Sequence, residues 1–169
     1  MYICFYVNIK GGSFYMEELI KRAEAGDLEA LFELGIAYLE ESDENKMELG
    51  FGYVNHAAEQ GLAQAQVFMG TVFYAQEQHE VAFDWFLKAA EQGDAIAQLN
   101  IGRYYLNGGV VPVDKAVAFQ WFMKAAEQGH AESQYIVGLC YINGEGVLSD
   151  QTLGNEWIVK AAEQGFVMQ

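Results

Sequence analysis

The chain has 169 residues, 52% of them hydrophobic, and carries 9 Lys+Arg against 24 Asp+Glu, a formal net charge of −15. That length and apolar content suffice for a continuous core, while a single proline and 20% charged residues exclude a disordered chain. Nucleic acids and anionic membranes would be repelled by the charge, no apolar run reaches the ~18–20 residues of a membrane span, and two cysteines without a C-x-x-C argue against a disulfide framework or structural zinc.

Residues 1–15 stand apart from the rest of the chain. The run Tyr2-Ile3-Cys4-Phe5-Tyr6-Val7-Asn8-Ile9 is too short, and lacks the basic start and small-residue cleavage site, for a secretory signal. Two readings stay open. It is a strand-like appendage, or it is a leader ahead of a true start at Met16, because Lys10-Gly11-Gly12 can be encoded by a bacterial ribosome-binding sequence. Met16-Glu17-Glu18-Leu19 opens the first recognisable helix and with it a repeat domain over 16–169.

From there the chain repeats itself. Ala-Ala-Glu-Gln-Gly occurs at residues 57–61, 89–93, 125–129 and 161–165, preceded by a fainter copy, Ala23-Glu24-Ala25-Gly26. A second glycine column (Gly35, Gly70, Gly102, Gly138) and an aromatic column (Tyr53, Trp85, Trp121, Trp157) keep the same irregular period. Columns that share one beat mark an array of units, here 27–61, 62–93, 94–129 and 130–165.

Each unit reads as two helices. In the third, Asp94 can cap a helix with Gln98, Ile101, Gly102 and Tyr105 on one stripe, and Asn107-Gly108-Gly109 breaks it. Val111-Pro112-Val113-Asp114 leads into a second helix with Ala118, Trp121, Phe122 and Ala125 on one face, ended by Gly129 in the left-handed conformation. Gly102 in mid-helix costs ~1 kcal/mol relative to alanine. The expected reason for it is close approach of the paired helix, with the Trp ring packed nearby. The ring column is accordingly expected to pack between helices, so that Trp121→Ala, at ~3–5 kcal/mol, unfolds the array locally. The units differ mainly in their internal loop: the second drops four residues, and the first replaces the glycine turn with Glu40-Glu41-Ser42-Asp43-Glu44-Asn45.

The pattern Leu-Gly-x-x-Tyr, Gly-x-Gly-Val-x-x-Asp, Ala-x-x-Trp and Lys-Ala-Ala-Glu-Gln-Gly resembles the Sel1-like repeat, a relative of the tetratricopeptide repeat. It is clearest at residues 101–129 and 137–165, with Lys88, Lys124 and Lys160 in the lysine position. It is looser in the first unit, where Tyr53 and His56 stand for Trp and Lys. The resemblance implies an all-α fold, a right-handed α/α superhelix of about four helix-pair repeats, that serves as a scaffold or adaptor for other proteins. One branch of the family has a disulfide in each repeat and is linked to β-lactam binding. With only Cys4 and Cys140, this chain does not match that branch, and a β-lactam-binding hydrolase is the disfavoured alternative.

Candidate chemistry is sparse. His56, His79 and His130 lie in different units and phases, no Gly-x-Ser-x-Gly or phosphate loop is present, and Cys140 has no basic neighbour on its helix. The expectation is a non-enzymatic protein without metal or cofactor. Recognition is left to the first-helix positions that do not recur, because first helices line the concave side of helix-pair solenoids. The candidate partner-binding residues are Glu33, Glu40, Phe68, Val72, Asn100, Arg103, Tyr104, Asn107, Ile136, Leu139 and Asn143. They are apolar enough to bury a partner helix or extended segment. Residues 1–60 hold 12 acidic and 4 basic residues, a field suited to a basic protein, and a bacterial immunity protein or inhibitor covering a basic toxin is the sharper form of this reading. Solubility is the plainer use of such charge. Self-association through the C-terminal end, where Trp157, Ile158 and Ala161 have no following pair in the sequence, and a cytoplasmic location complete the expectations.

Overall fold

The structure is a computed structural model that describes residues 13–166. The expectations for residues 1–12 and for the last three residues lie outside the described range. Among the described residues every regular element is a helix: α1 (Ser13–Glu24), α2 (Leu28–Leu39), α3 (Glu44–Glu59), α4 (Ala63–Ala75), α5 (His79–Glu91), α6 (Ala95–Asn107), α7 (Lys115–Glu127), α8 (Ala131–Asn143) and α9 (Gln151–Glu163). The described residues divide into two compact units, 13–69 and 70–166, with the border inside α4.

Both helix boundaries of the repeat are written in local chemistry. Asp27, Asp43, Asp94, Asp114 and Asp150 each sit in extended backbone and accept backbone N–H groups of the first turn of the next helix. His130 does the same for α8 through its ring. The recurring Ala-Ala-Glu-Gln-Gly string is a helix stop. Gly61 has φ +99° and donates its N–H to the Ala58 carbonyl, while the Leu62 N–H reaches the Ala57 carbonyl. That paired closure, with a left-handed glycine just past the helix, recurs at Gly93, Gly129 and Gly165.

The same string also ties a second helix to the first helix of the next repeat. In residues 13–69, the buried Gln66 donates from Nε2 to the Ala58 carbonyl (3.1 Å). In residues 70–166, Gln98 reaches Ala90 (3.3 Å) and Gln134 reaches Ala126 (3.2 Å) in the same way. The glutamine of the string closes the network: Gln128 Nε2 donates to the Gln98 side-chain oxygen and Gln164 Nε2 to that of Gln134, both at 2.8 Å. Buried amides are costly unless paired, and here they are paired in register.

Within residues 13–69, Leu19, Ala30 and Leu34 form a core with Met16, Ile20, Ala23, Tyr38 and Tyr53 against it. The helices α2 and α3 cross at glycines. A Cβ on Gly35 would lie 2.8 Å from the Gly50 carbonyl oxygen and from Val54 Cγ2, and one on Gly50 would lie 2.6 Å from the Gly35 oxygen. Within residues 70–166, the core is Leu99, Ala118, Phe122, Ala126 and Val137, joined by Trp157, Phe119, Tyr141 and others. The pair α8–α9 crosses at Gly138 and Gly154, with Ile158 against Gly138. Where the second helix carries Ala82 or Ala118 in place of that glycine, a phenylalanine ring fills the seam: Phe86 against Gly70, Phe122 against Gly102.

The glycine column therefore does not meet the ring column, contrary to the expectation from sequence, but its C-terminal neighbours Val54, Phe86, Phe122 and Ile158. Successive helical residues point about 100° apart, so the residue aimed into the seam leaves its neighbour turned outward. Trp85, Trp121 and Trp157 are half-buried, and each carries the ammonium of the lysine three residues on over its ring: Lys88 at 4.2 Å, Lys124 at 3.9 Å and Lys160 at 4.0 Å.

Candidate functional site

The non-recurring first-helix residues are placed by the same geometry. In residues 13–69, Glu40 is exposed at the end of α2, and Glu33 is half-buried, its carboxylate accepting the Tyr15 hydroxyl at 3.0 Å. That bond and the carboxylate's charge hold the Tyr15 phenol above its usual pKa. Phe68 is half-buried with its ring edge-on to the buried Phe32, centroids 6.3 Å apart.

In residues 70–166, Val72 is half-buried on α4. On α6, Asn100 and Arg103 are half-buried and Asn107 is exposed. On α8, Ile136 and Leu139 are half-buried and Asn143 is exposed. Asn100 Nδ2 donates to the Ile96 carbonyl (2.9 Å), and Arg103 pairs with Glu132 of α8. Ile136 packs partly on the core around Phe122.

Tyr104 departs from the expected stripe. It is 8% exposed, and its hydroxyl donates to the His79 carbonyl at 3.2 Å. Its ring is edge-on to Phe83 (5.3 Å) and Tyr74 (6.4 Å). Burial, followed by Tyr74 and Glu80, pushes its pKa up to about 12. Its equivalent on α8, Cys140, is also buried, with its thiol pushed up to about 11 by burial above all. In α2 both Ile36 and Ala37 are buried, whereas in α6 and α8 the residue two after the glycine, Tyr104 or Cys140, turns inward and the residue one after it, Arg103 or Leu139, stays partly open. The reason is again the 100° step between neighbours.

The histidines serve separate ends. His56 is exposed, and His130 caps α8 with Nδ1, where burial above all lowers its pKa. His79 opens α5 with an Nδ1 sealed from solvent and without a hydrogen-bond partner. Among the described residues no group of three or more His, Cys, Asp or Glu side chains could hold a metal ion, and no helix is long and apolar enough to cross a membrane.

The residue missed in the sequence is Tyr74, 55% exposed at the end of α4 with its ring on His79. Its signal was present. The same column holds Leu39, Leu106 and Ile142, and only here does an aromatic residue coincide with the shortened loop.

Comparison with known proteins places this arrangement. The Sel1 repeat model matches residues 28–62, 63–94, 95–130 and 131–166. Among solved structures, a protective antigen of uropathogenic Escherichia coli with an SLR fold is 36% identical, with a TM-score of 0.80 over 89% of this chain and 33% of that one. A Sel1 repeat protein from Oxalobacter formigenes is 30% identical, with a TM-score of 0.77 over 90% of this chain and 62% of its own. This chain thus spans a third of the length of the first and about six-tenths of the second. An immunity protein from Pseudomonas aeruginosa, 17% identical with a TM-score of 0.52 over 88% of this chain and 72% of that one, shares the fold alone. No curated protein matches the chain in sequence.

Proposed function

The chain belongs to the Sel1 repeat family, whose members are generally protein-interaction scaffolds, and from that premise we propose that it binds a protein or peptide on the open face of its first helices. The observation that carries this reading is the division of labour within α6 and α8. Their recurring positions Gln98, Gly102, Gln134 and Gly138 are buried, whereas Asn100, Arg103, Ile136 and Leu139 remain accessible and differ between the helices, with Asn107 and Asn143 exposed at the two helix ends. Half-buried apolar side chains beside amides and an arginine are the composition of a groove that accepts a helix or an extended segment.

The partner is a basic protein in this reading. The net charge of −15 steers such a partner to the surface and weakens its binding as salt is added. An immunity or inhibitor role toward a basic toxin is the narrower form. It rests on this charge, since the likeness to an immunity protein extends only to the fold.

The test is affinity capture from the native host at low and high salt, with the wild type and with Arg103→Glu/Leu139→Asp. Both positions are half-open, so the variant is expected to fold and to lose the captured partner. Equal capture by the variant refutes the face. Turnover of nitrocefin by the purified protein, expected to be nil, would instead favour the hydrolase reading.

A further inference from the structure

The loop after α4 is the shortest between the two helices of a repeat. Residues 76–78 join α4 to α5, whereas residues 108–114 join α6 to α7 and residues 144–150 join α8 to α9. The two long loops return over the end of their first helix. Asp114 donates its N–H to the Tyr105 carbonyl, Asp150 to the Tyr141 carbonyl, and the Ser149 and Gln151 side chains bond to the Ile142 carbonyl. Leu106 and Ile142, in the column of Tyr74, are half-buried there. After α4 the chain closes at once, with Glu77 in left-handed backbone (φ +61°), and Tyr74 is left exposed.

What this uncovers is the outermost ring of a cluster, Tyr74. Tyr74 lies edge-on to His79 (5.1 Å) and to Tyr104 (6.4 Å), and Phe83 backs Tyr104 from within. Tyr104 is anchored on the His79 carbonyl, so the rings are held rather than loose. Two exposed acidic residues share this corner: Glu77, whose N–H donates to the Tyr74 carbonyl, and Glu80 in the first turn of α5. Four half-buried rings elsewhere already carry a cation: Lys46, Lys88, Lys124 and Lys160 lie over Tyr38, Trp85, Trp121 and Trp157, while Tyr74 is the most exposed aromatic residue among the described ones. Among the described residues no cation lies over Tyr74.

We propose that the exposed ring of Tyr74, held in place by His79 and the buried Tyr104 and accompanied by Glu77 and Glu80, is a docking point for an arginine or lysine side chain of a basic partner segment. The proposal rests on the proposed binding function and adds the place and chemistry of one anchor. A ring face attracts a cation through its quadrupole, flanking carboxylates add charge, and Tyr104 and Phe83 fix the geometry in advance. An acidic segment is disfavoured by the same two carboxylates.

The probe is a fluorescein-labelled heptapeptide of alternating glycine and arginine, with citrulline and glutamate counterparts, read by anisotropy and by amide shift mapping on the full chain. The arginine peptide is expected to bind with shifts centred on Tyr74, Glu77 and Glu80. Tyr74→Ala and Glu77→Gln/Glu80→Gln are each expected to lower affinity about tenfold or more, and Tyr74→Phe to keep it. Unchanged affinity in Tyr74→Ala, shifts spread over the acidic surface, or equal binding of the citrulline or glutamate peptide overturns the proposal. Host-partner capture separates it from its premise. A partner retained by Tyr74→Ala but lost by Arg103→Glu/Leu139→Asp sinks the anchor and spares the binding face, whereas a partner retained by both variants sinks both.

Discussion

The seam between α6 and α7 yields a prediction whose sign depends on one contact. Phe122 is 1% exposed, and a Cβ built on Gly102 would lie 2.6 Å from its Cδ1, well inside contact distance. Gly102→Ala alone therefore gains the ~1 kcal/mol of helix propensity but forces the ring or the helix to move, an overpacking that typically costs ~1–3 kcal/mol, so the net effect is neutral to destabilising by about 2 kcal/mol. Phe122→Ala removes a fully buried ring, at about 3–5 kcal/mol. In the double variant the new methyl enters space the ring has vacated. Gly102→Ala should there become stabilising by about 1 kcal/mol or more, so the cycle shows a coupling of about 1–3 kcal/mol. Urea unfolding followed by both far-UV circular dichroism and tryptophan fluorescence measures it, coincident transitions being the condition for a single free energy in a repeat protein. Additive effects would refute direct ring-on-glycine packing. In the same assay Trp121→Ala, at a half-buried ring, should cost less than Phe122→Ala, the reverse of the order expected from the column of tryptophans alone.

Three further outcomes rest on local geometry. Glu77 occupies left-handed backbone at the end of α4, where its N–H reaches the Tyr74 carbonyl, so Glu77→Gly should stabilise by up to about 1 kcal/mol in the same urea assay. Cys140, with its thiol pushed up to about 11, should be alkylated by iodoacetamide at pH 8 about a hundredfold more slowly in the folded than in the unfolded chain, read on its own peptide by mass spectrometry. His130 accepts the Ser133 N–H through a neutral ring (3.3 Å), and burial first of all, against the opposing pull of Glu132, lowers its pKa from 6.5. The unfolded chain then binds the proton more readily, so this contribution is full above pH 6.5 and is lost as pH falls through 6.5 towards the lowered value. His130→Asp keeps a cap of about 1 kcal/mol and should flatten the pH dependence of the urea midpoint in that window. An unchanged slope would refute the assignment.

The recurring columns were sufficient to read an all-α array of helix pairs, because each boundary is chemistry confined to a few adjacent residues. An aspartate before a helix, or a glycine that alone tolerates positive φ after it, acts locally and needs no knowledge of distant contacts. The buried alanine pair and Gln98 and Gln134 were visible as repeated letters, though not their bond, since a carbonyl at Ala90 or Ala126 is identified as the acceptor only once the next helix is docked. Tertiary structure alone decided between adjacent residues. Phe122 or Trp121 in the seam, Arg103 or Tyr104 on the open side, are choices of one 100° step, and a broad apolar stripe is compatible with either. The column taken is the same in all four repeats (Val54, Phe86, Phe122, Ile158), whether residues 50, 82, 118 and 154 are glycine or alanine, so it is set by the docking of the two helices and not by any one neighbouring residue. Tyr74 lies between the two classes: the four missing loop residues beside it are legible in the sequence, but that the longer loops fold back over the helix end and cover this column is decided by the tertiary structure.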